Sequence, residues 1–497
     1  MNADAFVVGA GPNGLAGAVT LAQAGLTVTV LEAADTIGGG TRSGELTVPG
    51  LLHDHCAAVH PMALASPYLR TLDLERHGLR WGYAATDLAH PLDGGRTAVL
   101  HRDLAVTVRN LGADGPAWQR LFAPLTTRFD ALADDLMRPL ARGPRHPVLT
   151  GKFALLAAPS ALRTVRRWQT EAARALFAGT AAHAMRPLTG TAGSAIGLML
   201  TAAAHRHGWP VARGGSRAIT DALAARLIEL GGTIETRSPV HSLRDLPPAR
   251  TVLLDLTPRA AAAVCGARLP APVRRAYTRY RHGPAAYKID LAVEGGIPWS
   301  AEVCRSAGTV HLGGTAEQIA DAEQAVASGR MPRRPFVLVC QQYVADPARS
   351  VGDTHPVWAY AHVPHGYDGD ATDAILDRIE QYAPKVRDHV IALTARSPTD
   401  LEAYNPNYIG GDILTGANSP AQTAFRPRLA SDPYATGIPG IYLCSAATPP
   451  GAGVHGMCGH HAARSALRKL GLAPWAAARR PRHPYISWPT AAAGPRS

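Results

Sequence analysis

The 497-residue chain is poor in lysine: Lys152, Lys288, Lys385 and Lys469 are the only four among its 50 basic residues, so arginine serves almost everywhere a surface cation is wanted. Its six cysteines, Cys56, Cys265, Cys304, Cys340, Cys444 and Cys458, form no CxxC pair and no zinc-like spacing. That excludes a disulfide scaffold or a structural zinc site and points to a reduced, cytoplasmic setting. No basic leader or cleavable apolar stretch stands before Phe6-Val7-Val8, which already reads as a strand, so the fold is expected to start there. The longest charge-free stretches, Ala5 to Leu31, Pro187 to Ala204 and Pro433 to Ala463, are broken by Gly, Thr or Pro. None offers the roughly 20 consecutive apolar residues of a membrane span. No repeat period is visible, and the net charge of +12 comes without the aromatic-spaced basic motif of a nucleic-acid module, so no nucleic-acid partner is expected.

What is present fits a globular protein large enough for two domains: 46% hydrophobic and 18% charged residues. One charge imbalance stands out. From Arg138 to Arg174, eight basic residues (Arg138, Arg142, Arg145, Lys152, Arg163, Arg166, Arg167 and Arg174) face only Glu171. This reads either as a solvated helical face or as a surface that touches a membrane.

The N-terminal residues carry the strongest signal. Ala5 to Val8 is an apolar run that ends in Gly9-Ala10-Gly11-Pro12-Asn13-Gly14, and Leu15 to Ala24 continues at helical spacing. Gly9 permits the tight turn, Gly11 lets backbone approach a pyrophosphate, and Gly14 lets the helix pack on the strand. The free N–H groups of the helix start then face the phosphates. A second strand, Leu26 to Leu31, ends on Glu32, 18 residues beyond Gly14, where an acid accepts hydrogen bonds from a ribose hydroxyl.

The following stretch, Ala33-Ala34-Asp35-Thr36-Ile37-Gly38-Gly39-Gly40-Thr41-Arg42, adds a second glycine cluster that an NAD-only domain does not need. Here the sequence resembles the FAD-binding superfamily of amine oxidases and phytoene desaturases. In that family the acid and the glycine turn wrap the flavin's ribityl and phosphate portion. The resemblance makes Arg42 a partner for the pyrophosphate, although the family commonly has its arginine directly after the glycine pair. Further on, Gly214-Gly215, a helix through Leu223, Leu227 and Leu230, Gly231-Gly232 and the strand at Thr233 repeat the family pattern. By resemblance Val240 contacts the adenine side.

Near the C-terminus, strand Ile441 to Cys444 leads into Ser445-Ala446-Ala447-Thr448-Pro449-Pro450-Gly451-Ala452-Gly453-Val454-His455-Gly456, and a helix starts at Met457. A glycine-rich loop lets backbone approach a flat ring, and the helix start near Gly456-Met457 favours the anion that develops at flavin N1 and O2. The segment resembles the GxxTxPGxGxxG region of phytoene desaturase-like proteins, with Ser445 in place of the first glycine. Tyr404 to Ile413 resembles an uncharacterised actinobacterial branch of that family, and on this resemblance Tyr408 lines the substrate face. His455 lies in the ring loop, as a base or as a hydrogen-bonded loop histidine. Lys288 alternates into an apolar strand, Ala285 to Val293. It either lies at a strand edge, with its head in solvent or paired with Asp290, or, as the resemblance to amine oxidases implies, holds a water beside flavin N5. His53-Asp54-His55 lacks a partner at helical spacing, so no metal is expected, and a place near the flavin is read for this cluster. His183, His205, His362, His460 and His461 receive no role.

These readings define an α/β protein: a discontinuous Rossmann-like FAD-binding domain with an α+β substrate domain of antiparallel sheet plus helices. The expected division is 1–71, 205–260 and 405–475 for FAD, 72–204 for a helical part and 261–404 for a sheet part of the substrate domain, and 476–497 for a surface tail. The expected activity is removal of a hydride from a C–C or C–N unit of a hydrophobic small molecule onto FAD, with oxygen, a quinone or another acceptor reoxidising the ring. A carotenoid desaturase at a membrane surface and a redox-neutral isomerase or cyclase stay open, as does an oligomer.

Overall fold

The computed structural model describes residues 3–139 and 142–472; the expected tail over 476–497 lies outside them. Twelve strands build its two main sheets: β1 (Ala5–Val8), β2 (Val28–Leu31), β3 (Thr86–Pro91), β4 (Thr97–Leu100), β5 (Thr233–Glu235), β6 (Thr251–Leu254), β7 (Ala285–Glu294), β8 (Ala307–Leu312), β9 (Val337–Cys340), β10 (Thr354–Val363), β11 (Val390–Arg396) and β12 (Ile441–Leu443). The helices that matter for the site are α1 (Pro12–Gln23), α2 (Pro147–Ala157), α3 (Glu171–Ala182), α4 (Ser194–His207), α5 (Pro420–Phe425) and α6 (Met457–Lys469).

The first sheet is parallel throughout, in the order β12-β6-β1-β2-β5, and three distant chain segments supply it. Its central strands are buried at every position because both faces are covered. Val7 and Leu253 face the core shared with α1 and α6, while Phe6, Val8 and Leu254 face the core on the other side. The C-terminal helix α6 lies directly on α1: a Cβ on Gly459 would collide with the carbonyl oxygen of Asn13. The end of the chain described thus braces the helix that opens the nucleotide fingerprint.

The second sheet runs β11-β7-β10-β9-β8-β3-β4, antiparallel except for the β8–β3 pair. Register sorts its residues by chemistry. Ala89, Val310, Val339, Ala359 and Ile289 point into an apolar core on one face. The alternate positions place His90, His311, Leu338, Tyr360 and Lys288 on the opposite face. Segment 72–204, expected to be helical, therefore also delivers two strands to this sheet. β3 is buried at all six positions, so it shows no polar–apolar alternation by which a strand is recognised.

A buried arginine ties three distant chain segments together. Arg349, fully inaccessible, donates to Asp54 (2.6 Å), to Asp346 (3.1 Å) and to the Ala212 carbonyl (2.7 Å). Three acceptors on separate segments satisfy a charge that would be costly to bury alone. Among the described residues no helix is long and apolar enough to cross a membrane.

Candidate active site

The strand–turn–helix at the N-terminus is built as its glycines require. Gly9 adopts φ +102°, a conformation costly for other residues, and a Cβ on Gly14 would collide with the Gly9 carbonyl oxygen. Gly11 caps α1 with extended backbone, and Pro12 occupies the first helical turn. Glu32 ends β2 with its carboxylate accepting from the N–H groups of Ala10 (2.8 Å) and Ala34 (2.9 Å). Arg42 turns toward this acid: its guanidinium donates to Glu32 (3.3 Å) and to the Thr36 carbonyl (3.0 Å). It lines the same cavity as Gly11, Pro12 and Asn13.

One cavity of about 1170 Å³ begins at this cradle and continues into a chamber between the second sheet and the helices. Of the cofactor residues read from the sequence, Gly9, Gly11, Pro12, Asn13, Glu32, Ala33, Gly39, Gly40, Thr41, Arg42, Val240, Ala446, Gly453, Val454 and His455 border it. Gly14, Gly38, Ser445, Gly456 and Met457 are not among the lining residues. Gly456 instead allows helix packing, since a Cβ there would press on Ala16 at 2.7 Å. The Met457 N–H donates to His455 Nδ1 (3.1 Å), so that donor at the α6 start is already engaged.

The lining fits a dinucleotide. The buried Oδ1 of Asn13 has no hydrogen-bond partner among the described residues, and the glycine turn leaves backbone bare at the start of α1. The volume exceeds the ~300–1,000 Å³ of an ordinary small-molecule pocket, leaving room for a second reactant. A residue not read as part of the site also sits here. Asp255, just after β6, accepts the Gly14 N–H (2.9 Å). Burial pushes its carboxyl up to about 7, against the Gly14 hydrogen bond and with help from nearby Glu32.

The far end of the cavity is apolar, walled by Phe153, Ala154 and Ala157 of α2, by Ile196, Met199 and Leu200 of α4, and by Trp209, Leu338, Trp358 and Tyr360. Beyond the cradle the cationic lining groups are Arg138, Arg186 and Arg426, the last against the Ala446 and Gly451 backbone, whereas the cavity's two carboxylates, Glu32 and Asp255, both lie at the nucleotide end. Arg426 is almost completely buried; it donates to Asn418 (2.9 Å) and to the Ala446 carbonyl (3.3 Å), and its Nε has no partner among the described residues. His183 also faces the chamber, hydrogen-bonded through Nε2 to Nε2 of His311 behind it (3.1 Å). Burial lowers His183 to about 3, so it is a neutral imidazole at ordinary pH.

The three residues singled out for chemistry fall in different places. Lys288 is buried with its ammonium on Asp290 and 5.7 Å from the centre of the Trp358 ring. Trp358 lines the cavity and Lys288 does not, so the structure takes the ion-pair alternative. Asp290, despite the opposing effect of burial, is held below the usual carboxylate range by Lys288. Tyr408 borders the cavity, but its hydroxyl lies against Gly40, where a Cβ would collide with it; the neighbouring Tyr404 donates to the Gly39 carbonyl (2.7 Å). The two tyrosines buttress the glycine turn. His455 lines the cavity, and burial lowers it to about 4. Of the early histidine cluster, His53 lies 3.4 Å from Asp290, Asp54 binds Arg349, and His55 stacks on Tyr404.

Comparison with known proteins agrees with this geometry. Residues 7–72 match the model of the NAD(P)-binding Rossmann-like domain. The chain is 25% identical to the mouse (Mus musculus) pyridine nucleotide-disulfide oxidoreductase domain-containing protein 2, with 94% of each chain covered. Among solved structures, an oxidoreductase from Methanosarcina mazei superposes with a TM-score of 0.62 at 17% identity, covering 93% of this chain and 99% of the other. A double mutant of putrescine oxidase superposes with a TM-score of 0.59 at 16% identity, covering 94% and 99%. These likenesses establish the fold: a Rossmann-like dinucleotide-binding core joined to a separate, mainly antiparallel sheet.

Proposed function

We propose that the protein is an FAD-dependent oxidoreductase acting on an apolar small molecule, most closely akin in design to the phytoene desaturase-like flavoenzymes. The observation that carries this reading is the single cavity that joins the nucleotide cradle to the apolar chamber. FAD, when bound, supplies a hydride acceptor at its ring. Glu32 would hold a ribose hydroxyl, the backbone at the start of α1 the pyrophosphate, the unpartnered Oδ1 of Asn13 a hydroxyl of the dinucleotide, and the Gly451 to His455 loop the ring. The chamber walls exclude water, and burial keeps His183 neutral there, so it can hydrogen-bond an uncharged substrate group.

The charges select among substrates. A putrescine-like dication needs carboxylates, and the cavity lining has none beyond the cradle; Arg186 and Arg426 would repel it. A neutral or anionic apolar molecule suits the site, which favours C–C dehydrogenation over oxidation of a cationic amine. Lys288, held by Asp290, gives no separate support to amine chemistry. The test is the visible spectrum of the purified protein, followed by anaerobic mixing with polyenes, apolar acids and amines. Stoichiometric bleaching by a neutral or acidic apolar compound supports the reading. Bleaching by diamines alone overturns the substrate class, and turnover without bleaching indicates a redox-neutral isomerase or cyclase.

A further inference from the structure

Helix α2 has two unlike faces, and both are apolar. Phe153, Ala154 and Ala157 line the chamber, while Val148 and Leu155 point outward, 70% and 78% exposed. Val148 and Leu155 stand seven positions, about two helical turns, apart on the solvent side, where surface helices normally present charge. Phe425 and Leu429 add to this. Four of the nine large apolar side chains exposed among the described residues belong to α2, or to α5 and the few residues after it, and both helices border the same cavity.

Around Leu155 the surface is cationic. A groove of about 540 Å³ has Leu155, Ala158 and Pro159 as an apolar wall and Arg163, Arg166 and Arg167 as a charged one. All three arginines are exposed, as are Arg145 and Lys152. The basic residues at the two ends of the stretch are paired, Arg138 with Asp135 and Arg174 with Glu317. Among the described residues no ion pair involves the six between them, and no Asp or Glu occurs from Arg142 to Thr170. Exposed apolar side chains set beside unpaired arginines match an interface whose partner is apolar below and anionic above.

We propose that this face docks on a membrane containing anionic lipid, with Val148 and Leu155 at the acyl boundary and a lipid phosphate in the Arg163–Arg166–Arg167 groove. Since the inner face of α2 is a cavity wall, docking sets the chamber against the bilayer, from which an apolar substrate can pass beside the helix. That last point rests on the proposed oxidoreductase function; the docking itself does not.

The test is sedimentation of the full-length protein with vesicles of phosphatidylcholine alone or mixed with phosphatidylglycerol. Binding is expected only with the anionic lipid. R163Q/R166Q/R167Q should weaken it about 100-fold, a few-fold for each cation removed from the surface. V148S/L155S should weaken binding without lowering the melting temperature, since both side chains are solvated, and it carries the test if the arginine variant folds poorly. Equal binding to neutral vesicles, wild-type binding by both variants, or binding to RNA or an acidic protein with none to vesicles would overturn the proposal. Sedimentation is blind to flavin chemistry, so docking and the oxidoreductase reading can fail separately.

Discussion

Replacing Asp255 by Asn tests how the cradle handles charge. Asp255 accepts the Gly14 N–H at the start of α1, and burial raises its carboxyl from 3.8 to about 7. The folded state therefore keeps a proton that the unfolded chain releases. The associated stability is fully present below pH 3.8 and is lost as pH rises through about 7. A shift of roughly three units at ~1.4 kcal/mol each amounts to ~4 kcal/mol at most. Asn stays neutral and still offers an oxygen to Gly14. Thermal melting of the apoprotein between about pH 4 and about pH 8 should show the variants nearly matched at the acid end and Asp255→Asn about 4 °C higher at the alkaline end, at ~1 °C per kcal/mol for a chain of this size. FAD affinity of the wild type should also fall as pH rises through about 7, because a carboxylate would then face a pyrophosphate, and the variant should flatten that dependence. Parallel melting profiles, with a constant offset across the range, would refute the reasoning.

Gly14→Ala should abolish flavin retention, because the added methyl collides with the Gly9 carbonyl oxygen; gel filtration with absorbance of the eluted protein reads this directly. Lys288→Met leaves the Asp290 carboxylate buried without its cation and should cost about 3–5 kcal/mol, seen as a lower melting temperature. A second change, Asp290→Leu, should recover most of that loss. If Lys288→Met instead leaves stability unchanged but slows flavin reduction or reoxidation in stopped flow, the lysine acts on the ring and not as half of a structural pair.

How much was legible in the sequence follows the range of the interactions. The turn from Gly9 to Gly14 depends on neighbours a few residues away, and motif spacing marks it together with Glu32 at the end of β2, whereas the loop before α6 is read through its resemblance to phytoene desaturase-like proteins. Asp255 meets Gly14 across 241 positions, and no local pattern marks it. Folding brings the Thr36 carbonyl and Glu32 within reach of Arg42. β3 escaped because burial on both faces removes alternation. His183 caps the C-terminal end of α3, and only the packing of that helix on His311 of β8 sets the two imidazoles together at the chamber wall. The basic stretch was visible as composition, yet its outward apolar residues needed the orientation of α2.

The central claim, that one cavity joins a flavin cradle to an apolar chamber, is tested most directly by anaerobic titration of the purified holoprotein. The account predicts a flavin spectrum that bleaches stoichiometrically with a neutral or acidic apolar substrate and that is lost in Gly14→Ala. A folded wild-type protein that neither carries nor takes up FAD would contradict it.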